Sequence, residues 1–135
     1  MKLFLFIVLA GTTIFGFTTI SQQDKLQESI TRGQEIYTDF CINCHMASGE
    51  GVEKTYPPLA KSDYLKNNRE ASIRGIKYGQ KGEITVNGVV YNGYMAPMGL
   101  DDEEVADVMN FINNSWENSN TKIVTKEEVT AVKKQ

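Results

Sequence analysis

The chain has 135 residues, a formal net charge of −3, 41% hydrophobic residues and 23% charged residues. That length and balance describe one ordinary globular domain and exclude a collagenous, mucin-like or wholly disordered chain. Two cysteines exclude a disulfide-built scaffold, and the mildly acidic charge lacks the basic footprint of a nucleic-acid binder. A single histidine, His45, excludes any site needing two imidazoles from one chain.

Lys2 is followed by an apolar run from Leu3 to Ala10 and a softer one through Phe17 and Ile20, with no charge before Asp24. A basic start, an apolar stretch and small polar residues read as a secretory signal spanning residues 1–21, with Thr19 and Ser21 at the cleavage-site positions. The rival is an uncleaved anchor, since Leu3 to Ile20 is 18 residues, the lower edge of a spanning helix. Four threonines and two glycines dilute that stretch and favour cleavage. The chain is therefore expected to be exported to the periplasm, soluble or tethered to a membrane by this segment.

Past the leader, Ile30, Gly33, Tyr37, Phe40, Cys41 and Cys44 recur at helical spacings and predict a helix from about Leu26 to Asn43. Ser48 to Pro58 is a loop punctuated by glycines and prolines. Ser62 is placed to cap a short helix from Asp63 to Lys66, and Asn68 to cap another from Arg69 to Tyr78. Two β-rich runs flank Asn87-Gly88, a strong two-residue hairpin signal, and Tyr94 to Gly99 reads as a loop. Asp101 to Glu104 opens a helix to about Trp116, its acids complementing the positive end of the helix dipole. Its expected buried stripe is Val105, Val108, Met109, Ile112 and Trp116. The tail, 119–135, is polar, with Thr125 placed to cap a last short helix carrying Val129 and Val132. The expected division is 1–21, a single domain over 22–118, and this tail.

Cys41-Ile42-Asn43-Cys44-His45 is Cys-x-x-Cys-His, which in an exported protein reads as covalent haem attachment. Two thiols three residues apart each reach one vinyl group, and the adjacent imidazole meets the iron from the same side. One haem c per chain is the expected cofactor. A structural zinc site would lack a fourth Cys or His ligand. A thioredoxin-type dithiol sits at a helix start after a strand, whereas this motif ends a helix. A plain disulfide leaves His45 unexplained. With no second histidine, methionine is the candidate for the other axial position. Met46 adjoins His45 on the wrong side and Met109 belongs to the core stripe, which leaves Met95 and Met98.

These residues resemble class I cytochrome c over Ile30 to Trp116. The resemblance implies an all-α fold in which N- and C-terminal helices cross around one covalent haem, here with a small β-hairpin inserted. Gly33 and Tyr37, two turns and one turn before Cys41, match the family's glycine and aromatic spacing, and the resemblance implies that Gly33 lets this helix cross closely over Phe111 on the C-terminal helix. Pro57-Pro58-Leu59 matches a Pro-x-Leu whose proline carbonyl, that of Pro57, accepts a hydrogen bond from His45. The family's methionine precedes a Leu and an acid-rich helix start, which favours Met95 as axial ligand, with Met98 the runner-up because Pro97 stands one place late. The implied role is electron transfer through a His/Met-ligated iron, with no catalytic residues of its own and redox proteins as partners. Two alternatives stand beside it: a haem subunit of a larger redox enzyme, for which the tail would be a docking segment, and a five-coordinate gas-binding or peroxidatic protein. Seven basic residues between Lys54 and Lys81 form either a docking surface for a partner or a solvated face.

Overall fold

The computed structural model describes residues 22–134, so the expected leader, 1–21, lies outside the described residues. Helix α1 covers 22–40 and is interrupted at Cys41 before the short α2, Ile42–His45. Then come α3 (Asp63–Asn67), α4 (Arg69–Tyr78), β1 (Gln80–Val86), β2 (Val89–Met95), α5 (Asp102–Asn113) and α6 (Lys126–Ala131).

Local chemistry sets most of these boundaries. Ser62 Oγ accepts from Leu65 N at 3.3 Å and starts α3. Asp101 and Glu104 form a reciprocal capping box that starts α5. Thr125 Oγ1 accepts from Glu128 N and starts α6. Asn68 departs from expectation: its side chain donates back to the Tyr64 carbonyl, so it closes α3 and makes no side-chain cap on α4.

The hairpin is antiparallel, with Val86 opposite Val89 across Asn87-Gly88, both at positive φ, as a two-residue turn requires. Its strands run further than the sequence signal. Tyr94 and Met95, expected in a loop, pair with Lys81 and Gln80 and end β2. The hairpin tip is tied to α3 by reciprocal hydrogen bonds between Asp63 and Asn87, at 3.0 and 2.7 Å.

Helix α5 is the centre of the molecule and stops at Asn113, one turn before the expected Trp116, which adopts a left-handed conformation. Val105 and Met109 join Ile73, Val124, Val129 and Val132 in one buried cluster. Val108 and Ile112 join Tyr37 in a second, against which Leu59, Leu65, Ile76, Leu100 and Cys41 are packed half-buried. The tail is thus part of the core: Val124, Val129 and Val132 are each at most 5% exposed. Buried Asn110 donates to Ser29 Oγ and the Val124 carbonyl and accepts from Val124 N, joining α1, α5 and the tail.

Candidate functional site

The thiols of Cys41 and Cys44 stand at the break between α1 and α2, both half-buried and unbonded to each other. Burial, reinforced by the neighbouring Cys44, pushes the Cys41 thiol up to about 11. Among the described residues, no group of three or more His, Cys, Asp or Glu side chains is arranged to hold a free metal ion. A zinc ion would lack a ligand set among the described residues, and the motif follows α1 rather than a strand, unlike a thioredoxin-type dithiol.

His45 closes α2. Its ring Nδ1 donates to the Pro57 carbonyl at 2.9 Å. That bond fixes the ring orientation and the tautomer and leaves Nε2 with its lone pair. Burial holds the imidazole below its usual value, partly offset by the Pro57 bond, which keeps the ring neutral as a ligand must be. The loop between them is folded back on itself. Gly51 N donates to the His45 carbonyl at 3.0 Å, and Val52 pairs with Tyr56 to deliver Pro57.

The same loop is gripped from behind. Tyr37 Oη donates to the Met46 carbonyl at 2.7 Å, and Trp116 Nε1 to the Ala47 carbonyl at 3.1 Å. Tyr37, Phe111 and Trp116 form a ring cluster with centroids 5.0–5.4 Å apart. The helical spacing marks Tyr37 and Trp116 as inward, but these two bonds to the loop carry no sequence signal.

Met95 ends β2, half-buried, beside the C-terminal half of α4. A Cβ on Gly75 would lie 3.9 Å from the Met95 methyl carbon. Gly79, at φ +87, lets the chain turn directly under the Met95 carbonyl and Pro97. Met98 is also half-buried, two residues before Leu100, and Met109 is fully buried in the core.

This donor set fits a haem. Two thiols one helical turn apart, a neutral imidazole oriented through Nδ1, and the half-buried apolar side chains of Leu59, Leu65, Ile76 and Leu100, packed with Cys41 against the Tyr37, Val108 and Ile112 cluster, suit a thioether-linked macrocycle. Cys41 and Cys44 would hold it, and His45 would meet the iron.

The basic stretch is differently used than a docking face requires. Arg69 pairs with Glu128 through two bonds and also donates to the Lys122 and Ile123 carbonyls. Arg74 pairs with Glu70 and donates to the Lys133 carbonyl. Lys77 pairs with Asp102 and donates to the Val129 carbonyl. Three of the seven basic side chains therefore fasten the tail.

The sequence profile of the cytochrome c family matches residues 30–116. The chain is 39% identical over 89 residues to cytochrome c-552 of Thermus thermophilus, covering 62% of this chain and 67% of that protein. For a second Thermus thermophilus protein of the same name the covered share is 60%. It is 29% identical over 96 residues to the cytochrome c subunit of the quinone alcohol dehydrogenase of Gluconobacter oxydans, covering 64% of this chain and 19% of that one. It is 26% identical over 130 residues to the gluconate 2-dehydrogenase cytochrome c subunit of Pantoea cypripedii, covering 87% of this chain and 29% of that one. The chain belongs to the cytochrome c family, whose members carry covalently bound haem c and transfer electrons without being enzymes themselves.

Proposed function

We propose that this chain is an exported electron-transfer protein carrying one haem c through thioether bonds to Cys41 and Cys44, with His45 and Met95 as the axial ligands. When bound, haem c supplies a one-electron couple. The protein's part is to hold both axial donors in place while that charge changes. His45 is held by the Pro57 carbonyl at 2.9 Å, and this bond, directly after the two cysteines, is the observation that carries the reading. Donation to a carbonyl raises the basicity of the opposite nitrogen and prevents ring rotation. Met95 is held by its place at the end of a paired strand, against α4. A thioether in that position favours the reduced state and raises the potential.

A freely diffusing carrier that meets redox proteins as donor and acceptor is favoured over a subunit of a larger enzyme. The segment that would serve as a docking arm is folded into the chain's own core. Relatives that are dehydrogenase subunits keep the second reading specific: co-purification with a dehydrogenase would establish it.

The test is the pair Met95→Ala and Met98→Ala in the haem-loaded protein. Met95→Ala loses the sulfur-to-iron band at the red end of the oxidised spectrum, lowers the reduction potential and binds carbon monoxide. Met98→Ala does none of these. The reverse result moves the ligand to Met98, and retention of the band in both variants removes the distal assignment.

A further inference from the structure

We propose that the C-terminal segment 119–134 is a strap that positions the distal ligand, through a junction of Lys77, Asp102 and Thr130 that closes the loop carrying Met95. The proposal rests on Met95 as ligand and adds what holds it there. The segment lies beyond the family match, which ends at residue 116.

The loop from Met95 to Asp101 has two ends. The first abuts α4: a Cβ on Gly79 would lie 2.7 Å from the Met95 carbonyl and 3.0 Å from Pro97. The second is the start of α5, and there Asp102 is held from two directions. Lys77, from α4, meets Asp102 Oδ1 at 2.7 Å. Thr130, from α6, donates to Asp102 Oδ2 at 2.7 Å. Lys77 also donates to the Val129 carbonyl at 3.0 Å, so α4, α5 and α6 meet at one ammonium group. Lys77 and Asp102 are only 14% and 25% exposed at the side chain, a setting in which an ion pair holds geometry more firmly than at an open surface.

The strap also fixes α4 along its length. Arg69 at its start holds Glu128, and Tyr78 at its end donates to the Val132 carbonyl at 3.2 Å. Both walls of the Met95 loop are thus tied to the same segment. Loosening the strap lets α4 and the start of α5 separate, and the methionine leaves its position more often. A competing ligand then binds with an apparent affinity that rises in proportion to the open fraction.

The experiment measures imidazole binding to the ferric, haem-loaded full-length chain, with amide hydrogen exchange across 95–101 as a readout independent of iron. Lys77→Met and Thr130→Val are each expected to bind imidazole about tenfold more tightly than the unaltered protein, as the open fraction scales the apparent affinity. Exchange across the loop is expected to accelerate in both. Arg32→Met, which breaks a pair with Asp107 on the α1 side of α5, is the control for general destabilisation. If it raises imidazole affinity as much as the junction variants at matched unfolding midpoint, the proposal falls. If Met95→Ala abolishes the sulfur-to-iron band while Lys77→Met and Thr130→Val bind imidazole like the unaltered protein, the strap fails and the ligand stands. If Met95→Ala keeps the band, the ligand reading itself fails, and the strap proposal with it.

Discussion

Gly33 and Asp107 meet backbone to backbone: a Cβ on Gly33 would lie 2.0 Å from the Asp107 carbonyl oxygen and 2.9 Å from Phe111 Cβ. This is where α1 crosses α5. The obstacle is backbone and cannot swing aside, so any side chain at 33 must push the helices apart. Beside the crossing, Arg32 grips the Asp107 carboxylate at 2.6 and 2.9 Å, and Ser29 donates to it at 2.6 Å.

Gly33→Val is therefore expected to cost about 3 kcal/mol, the upper part of the overpacking range. Thermal unfolding of the loaded protein checks it: the midpoint falls while the haem spectrum stays close to native, because the crossing lies a full two turns from Cys41. An unchanged midpoint would place the crossing elsewhere.

Asn110→Ala tests how far the tail belongs to the core. Asn110 is 1% exposed and satisfies both the N–H and the carbonyl of Val124, together with Ser29. Removing it leaves those buried backbone groups without partners, at about 1–3 kcal/mol each. Denaturant unfolding should show a lower midpoint. Limited proteolysis should cut first between 119 and 126, and an intact tail under those conditions would count against the role.

The Arg69–Glu128 pair gives stability a definite pH dependence. Arg69 holds the Glu128 carboxylate below its ordinary value, with burial opposing. An unfolded glutamate titrates at about 4.3. The folded value being lower, the contribution is fully present above the unfolded value and is lost as pH falls through the folded one. Glu128→Gln should be less stable than the unaltered protein at about pH 6 and lose less stability on acidification. Parallel midpoint-against-pH curves would mean the pair contributes nothing.

Attachment through two thioethers predicts graded chemistry. Acid–acetone extraction should leave colour on the unaltered polypeptide. Cys41→Ser should retain a haem through Cys44 alone, with the red-shifted pyridine haemochrome of a remaining vinyl group. The double variant, Cys41→Ser with Cys44→Ser, should release its haem to the solvent. Retention of colour by the double variant would overturn the assignment.

What the sequence determined by itself is local in origin. Cys41, Cys44 and His45 lie within five consecutive residues, so their chemistry is legible without a fold. Caps at Ser62 and Thr125 and the turn at Asn87-Gly88 act within four residues, and all three work as their residue types require, while the acids from Asp101 open α5 as expected, Asp101 itself serving as its cap. The tertiary structure decided what depends on distant partners. Tyr94 and Met95 read as loop because their aromatic and thioether side chains carry no strand period, yet they complete β2 because Lys81 and Gln80 stand opposite with free backbone groups to pair. Arg69 and Lys77 read as surface charge because the carboxylates that hold them, Glu128 and Asp102, are 59 and 25 residues away in the chain. The tail read as polar because only one residue in several is apolar. Val124, Val129 and Val132 nevertheless bury completely or nearly so, since α4 and α5 leave an apolar seam that three valines on one side of an otherwise charged segment can cover.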